Sequence, residues 1–172
     1  LKNDLSSIEK PLAILTKLEP HHPLIKEALL HLEKVKLMNS SGFTLTDINS
    51  LSGIDFELLV INNLKKYTNF TTVESTAKTG DYGADIIVTT NNGTRVAIQC
   101  KRFSQKVNLK AVQEITAALA HYHADVGIVI SNNGFLNSAI NLAKSNDIEL
   151  WDGEKLLRLL AGESDFSVIF EL

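Results

Sequence analysis

Between Phe70 and Trp151, short runs of β-branched and aliphatic residues alternate with longer segments whose apolar residues recur at helical spacing, and few folds accept that order. The runs read as strands over Phe70–Glu74, Ala84–Thr89, Thr94–Lys101, Val126–Ser131 and Ile148–Trp151. Helical spacing covers Gly53–Tyr67 before them, Leu109–Tyr122 and Gly134–Ser145 between the later strands, and Glu154–Ala161 after them. Strands joined by a tight turn pair as a hairpin, whereas strands separated by a helix pair in parallel. The expected fold is therefore α/β, a central mixed sheet flanked by helices. Phe166–Phe170 reads either as a further edge strand or as a tail.

Upstream, residues 5 to 19 and 24 to 38 carry apolar side chains at helical spacing (Leu5, Ile8, Leu12, Leu15; Leu29, Leu32, Val35) on either side of the breaker Pro20-His21-His22-Pro23. They predict a helical hairpin. Asn39-Ser40-Ser41-Gly42 reads as a linker, so residues 1–45 are expected to form an N-terminal helical appendage and residues 46–172 the main domain. A chain of 172 residues, 44% hydrophobic and 22% charged, has room for one sizeable core and a modest addition. The lone Cys100 cannot form an internal disulfide and points to a reducing, cytoplasmic setting. No apolar run is long enough to span a bilayer, so no membrane partner is expected. The chain begins with Leu1 rather than methionine, which leads to the expectation of a fragment or processed product with a recognition domain upstream.

Charge is unevenly placed. The net charge of −3 is not that of a protein that coats nucleic acid by charge alone. Residues 147 to 172 hold seven acids against Lys155 and Arg158, yet Lys101 to Lys110 hold four bases and no acid. A local basic strip therefore follows the third strand.

Side chains of a strand alternate between faces, so Val96, Ile98 and Cys100 share one side of Thr94–Lys101, while Gln99 and Lys101 share the other. Asp85 stands at the start of the preceding strand. A two-residue Asn92-Gly93 turn would set Asp85 opposite Cys100, on the wrong face; a three-residue Asn91–Gly93 loop with Gly93 in the left-handed region sets it opposite Gln99. An odd loop or a compensating bulge is thus the condition for the three groups to meet. A carboxylate and an amide oxygen on one side of a hairpin can hold a hard cation such as Mg²⁺, which keeps waters and accepts a phosphate oxygen as a further ligand. The Lys101 ammonium can then orient an attacking water and offset charge that builds on the phosphate.

Taken singly, each residue has a plainer reading. Asp85 beside Gly83 serves equally as a turn residue, Lys101 as a solvated strand end and Gln99 as a surface amide. Glu57 shares helical spacing with Ile54, Ile61 and Leu64, which leaves a structural ion pair, a helix-end charge and a metal-site acid all open. Gln113 lies on a helix whose core face is read from Val112, Ile115, Ala118 and Leu119, and is either an exposed amide or a site-lining one. Arg102, Lys106 and Lys110 are candidate phosphate contacts or ordinary surface charge. Cys100 is read as buried filler, and the five histidines show no zinc-ligand spacing.

Asp85 followed by Gln99-Cys100-Lys101 resembles the P-D-(D/E)-x-K nuclease signature in the variant where Gln replaces the second acid, as in Mrr-type restriction endonucleases. The resemblance extends in order along the chain: Gly53-Ile54-Asp55-Phe56-Glu57, Gly80-Asp81-Tyr82-Gly83-Ala84-Asp85, Ala97-Ile98-Gln99-Cys100-Lys101-Arg102, Val112-Gln113-Glu114, Ile130-Ser131-Asn132, Phe135-Leu136-Asn137-Ser138-Ala139 and Leu150-Trp151-Asp152-Gly153. It covers roughly Leu51 to Leu160. The resemblance implies a restriction-endonuclease-like core that hydrolyses DNA phosphodiesters with Mg²⁺ or Mn²⁺, in restriction of foreign or modified DNA. It also implies Asp85, Gln99, Lys101 and Glu57 as catalytic residues, and Asp85, Gln99, Glu57 and the backbone carbonyl of Cys100 as metal ligands. Arg102, Lys106, Lys110 and Gln113 are the expected DNA contacts. Cutting both strands of a duplex calls for two active sites or two visits, which makes a homodimer one expectation. The rival readings are a repair or junction-resolving nuclease, and a non-catalytic DNA-binding or assembly module that keeps the fold.

Overall fold

The computed structural model describes residues 6–29, 32, 42–76 and 82–161. The chain divides into two compact units, Leu1–Ser41 and Gly42–Leu172. In the first, α1 (Ser6–Leu18) is followed by α2, helical over residues 23–29 and again at residue 32. Leu12, Ile25 and Leu32 form its small buried cluster, with Leu29 packed against them. Helix is present on both sides of Pro20-His21-His22-Pro23; residues 30, 31 and 33–41, Gly80-Asp81 and the Phe166–Phe170 segment lie outside the described residues.

The second unit holds α3 (Leu45–Ser50), α4 (Gly53–Leu64), β1 (Phe70–Ser75), β2 (Ile86–Thr90), β3 (Arg95–Lys101), α5 (Leu109–Tyr122), β4 (Val126–Ser131), α6 (Asn137–Ser145), β5 (Ile148–Trp151) and α7 (Gly153–Leu160). The strands lie side by side in chain order. β1, β2 and β3 pair antiparallel, and β3, β4 and β5 pair in parallel, so the sheet is mixed as the connection lengths require.

Alternation divides the sheet's side chains between two helix layers. Ile87, Ala97 and Val129 pack with Val112, Ile115 and Ala118 of α5 and Ala139 and Ala143 of α6. Ile86, Val88, Val96, Ile98, Ile128 and Ile130 lie outside that cluster and are buried on the other side, where α4 meets β1 and β3 and α7 meets β4 and β5. Because the central strands are covered on both faces, they are almost continuously apolar.

Local chemistry sets the helix ends. Asn108 caps α5 by accepting from the Lys110 N–H, and His123 ends it in the left-handed region at φ 50°. Ser52 and Asp152 cap α4 and α7. The helix α3 was not expected from apolar periodicity. Its Thr44–Asp47 capping box holds it at one end, and Ile48, fully buried, anchors it. The helix expected from Gly134 starts instead at Asn137, because Gly134–Leu136 runs extended beside Val107, with the Val107 N–H bonded to the Gly134 carbonyl at 2.9 Å and the Leu136 N–H to the Val107 carbonyl at 2.9 Å. Among the described residues no helix is long and apolar enough to cross a membrane.

Candidate active site

The hairpin between β2 and β3 pairs regularly from its loop as far as Ile86 and Ile98. Ile86 faces Ile98, Val88 faces Val96 and Thr89 faces Arg95, and the Thr90 N–H bonds to the Thr94 carbonyl at 2.9 Å. The loop is therefore Asn91–Gly93, three residues, with Gly93 at φ 91°. Asp85 stands one step past the last regular pair, Ile86 and Ile98. There the ladder opens: the Asp85 N–H donates to the Ile98 carbonyl at 2.8 Å although Ile98 is paired with Ile86, so two residues address one, as in a β-bulge. The Asp85 side chain fills the gap, its Oδ2 accepting from the Cys100 N–H at 2.6 Å. Sheet pairing thus fixes the carboxylate at the C-terminal end of β3, next to the edge where parallel strands of α/β sheets present their ligand sites.

Gln99 and Lys101 emerge together on the α5 side of the sheet. Gln99 is 2% exposed and its Nε2 donates to Glu114 Oε2 at 2.8 Å. Lys101 Nζ lies 3.0 Å from the same oxygen, and Lys110 Nζ lies 3.6 Å from the other. A carboxylate must receive the N–H side of the amide, which fixes the orientation of Gln99 and leaves its Oε1 buried with no hydrogen-bond partner among the described residues. Burial raises the Glu114 carboxyl, but the hydrogen bonds from Lys101 and Gln99 and the charges of Lys101 and Lys110 outweigh it and hold the group below its usual range.

Glu114, the carboxylate that joins Gln99, Lys101 and Lys110, is the residue that sequence reasoning missed. Gln113, for which the sequence leaves an exposed and a site-lining role open, is exposed. Glu114 stands three residues after Ala111 and four before Ala118, both buried, so weighting alanines as core residues would have found it. Gly83 explains how α5 comes so close: at φ 91°, a Cβ on it would lie 2.5 Å from the Glu114 carbonyl oxygen.

Glu57 reaches the region from the opposite layer. The expected apolar face of its helix is corrected in one respect, because Ile54 is 55% exposed while Phe56, Leu59 and Val60 are buried; Glu57 sits half-buried at the margin. Its charge is felt at Cys100: burial first, then the negative charges of Asp85 and Glu57, push that thiol well above its usual range, against the pull of Lys101. Cys100 is therefore a buried neutral thiol, as its apolar-face position suggested. The two acids and Cys100 share one electrostatic neighbourhood.

Among the described residues no three His, Cys, Asp or Glu side chains gather as a metal-holding group. The donors present are hard oxygens of another kind. The Asp85 carboxylate and the orphaned Gln99 Oε1 fit an ion such as Mg²⁺, which takes few protein ligands and keeps its waters. Of the expected DNA contacts, Lys106 and Lys110 are exposed, Arg102 is half-buried with its Nε lacking a partner among the described residues, and all three flank the end of β3 or the start of α5.

The mixed sheet with its helix layers and edge site defines a restriction-endonuclease-like fold. Solved structures of that kind match it: the ATP-dependent type ISP restriction-modification enzyme LlaBIII bound to DNA, with 21% identity, 73% of this chain and 9% of that chain covered and a TM-score of 0.54. The restriction endonuclease FokI follows with 12% identity, 99% and 33% covered and a TM-score of 0.52. A repair endonuclease from Pyrococcus abyssi has 19% identity, 60% and 47% covered and a TM-score of 0.43. The chain spans less than half the length of each. No curated protein matches the sequence significantly. Residues 48–160 match the Mrr catalytic-domain profile, described as restriction endonuclease, and the chain belongs to that family. Domains of this kind generally use divalent metal ions.

Proposed function

We propose that this domain cleaves DNA phosphodiester bonds with Mg²⁺ or Mn²⁺, acting in restriction of foreign or modified DNA. The observation that supports this reading most is the buried, unpartnered Gln99 Oε1 at the end of β3, on the strand whose Lys101 shares Glu114 with it and whose Cys100 N–H is bound by the Asp85 carboxylate. Asp85, Gln99 and the Cys100 carbonyl would hold the ion, and Glu57 would supply the negative charge that Gln99 lacks as a replacement for an acid. When bound, the ion polarises the phosphate and lowers the pKa of a coordinated water. Lys101 orients the attacking water and offsets charge on the phosphate oxygens. Glu114 keeps Lys101 and Gln99 in place by accepting from both. Arg102, Lys106, Lys110 and Gln113 contact the DNA backbone, and two copies of the domain serve the two strands.

The test is cleavage of supercoiled plasmid, methylated and unmethylated, with Mg²⁺ or Mn²⁺. Asp85→Ala and Lys101→Ala are each expected to lower the rate on the order of 100- to 1,000-fold, the scale seen when one charge-stabilising group is removed from an active site. Equal cutting by the wild type and both variants would sink the assignment of the site. Binding of DNA without metal-dependent cutting would favour the non-catalytic module instead.

A further inference from the structure

The segment after Lys101 has an arrangement that the cleavage chemistry does not use. Phe103 stands two residues beyond Lys101 with 49% of its surface exposed, yet its backbone is fixed at both polar groups by one side chain. Asn132 Oδ1 accepts from the Phe103 N–H at 2.8 Å, and Asn132 Nδ2 donates to the Phe103 carbonyl at 2.8 Å. Asn132 is itself 7% exposed and donates to Asn49 Oδ1 of α3 at 2.7 Å. The next carbonyl, that of Ser104, accepts from Asn133 Nδ2 at 3.2 Å, and Val107 bridges to Phe135. The side-chain amides of buried Asn132 and half-buried Asn133 therefore anchor a short loop that carries an exposed apolar ring.

Such a display loses little conformational entropy when the ring is later covered, which is the condition for an efficient anchor. The other strongly exposed aromatic near Asp85 is different: Tyr82 is 62% exposed but already lies stacked on His121, with ring centroids 3.8 Å apart and planes 23° from parallel. Phe103 is flanked by Arg102 and Lys106, the mixture of cations and an aromatic found where proteins grip unstacked nucleotides. Two residues of chain separate the Cα atoms of Lys101 and Phe103 by at most about 7 Å, so both side chains start from the same short stretch at the end of β3.

We infer that Phe103 is a specificity-determining residue that stacks on a nucleobase beside the scissile phosphate, and that the preferred substrate is DNA with an unpaired nucleotide at that place. In an intact duplex both faces of each base are covered by its neighbours, so the ring has nothing to stack on until a base is displaced. Asn132 is the positioning residue that holds the ring ready. This inference rests on the DNA endonuclease reading above and narrows its substrate.

The experiment uses the whole chain and its Phe103→Ala, Phe103→Leu and Phe103→Trp variants with two fluorescently labelled duplexes, one fully paired and one carrying a single unpaired nucleotide. Affinity is measured with Ca²⁺ in place of Mg²⁺, and cleavage with Mg²⁺. Wild type is expected to prefer the interrupted duplex. Phe103→Ala and Phe103→Leu should weaken binding to it roughly 5- to 140-fold, the scale of one aromatic–base stack, and erase the preference, while Phe103→Trp restores it. The Trp variant also reports directly: its new indole should be quenched by the interrupted duplex, over a constant background from Trp151, which is fully buried. If the wild type cuts DNA but Phe103→Ala binds both duplexes as tightly as the wild type, the inference is overturned and the nuclease reading stands. An unquenched indole in a DNA-bound complex overturns it equally. A folded wild type that neither binds nor cuts either duplex overturns both.

Discussion

Gly83 and Gly93 share a backbone conformation, φ 91° in each, but not their surroundings, and replacing each with alanine separates backbone strain from contact. At Gly93 a Cβ meets nothing within 4 Å, so Gly93→Ala pays only for forcing an L-residue into the left-handed region, about 1–2 kcal/mol. At Gly83 the same Cβ would stand 2.5 Å from the Glu114 carbonyl oxygen and 2.7 Å from its carbonyl carbon, and these are backbone atoms of α5 that cannot swing aside. Overpacking of that kind costs about a further 1–3 kcal/mol. Gly83→Ala should therefore melt roughly 2–12 °C below Gly93→Ala, taking about 2–4 °C per kcal/mol for a chain of this size. The functional effect should exceed the thermal one, because the displaced backbone carries the carboxylate that holds Gln99 and Lys101. Thermal melts followed by circular dichroism, with plasmid cleavage below the transition, read both effects. Equal melting of the two variants, or full activity of a well-folded Gly83→Ala, would refute the view that close approach of α5 to this turn builds the site.

Glu114→Ala strips the buried Gln99 amide of its acceptor and should cost about 1–3 kcal/mol in urea unfolding; Glu114→Gln, which keeps an acceptor oxygen, should cost less, and a loss of similar size in both would contradict this. Asn132→Ala leaves the Phe103 backbone and Asn49 without their shared partner, and should destabilise by about 1–3 kcal/mol while raising amide exchange at Phe103. Asp47 titrates below its ordinary 3.8 because the Thr44 side chain and N–H both donate to it. A depressed carboxylate stabilises the fold above its unfolded pKa and stops doing so as pH falls through the folded value. The stability gap between wild type and Asp47→Ala should accordingly be present at neutral pH and close below the ordinary value; a gap that persists unchanged in acid would rule this out.

Much of the fold was legible because it is written in local periods. The helix Leu109–Tyr122 and the strands Val126–Ser131 and Ile148–Trp151 have the bounds expected from apolar spacing. Strand alternation alone put Gln99 and Lys101 on one face, and the need to bring Asp85 to them foretold the three-residue loop ending in Gly93. The helix α3 was missed because its signal is a capping box and one deeply buried residue, Ile48, rather than a stripe.

What the sequence by itself determined about this protein is the order of its strands, the odd hairpin loop and the shared face of Gln99 and Lys101, since each follows from contacts near in the chain or from a two-residue repeat. Only the tertiary structure decided which side of α5 meets β3, and so selected Glu114 over Gln113. One residue turns a helix by about 100°, and the choice between neighbours depends on how closely the whole helix docks against the Gly83 turn. It also decided that Glu57 approaches from the layer opposite Gln99, and that Asn132, 29 residues away in sequence, fixes the backbone of Phe103. Those contacts join segments that no local period relates, and they exist only once both helix layers have closed on the sheet.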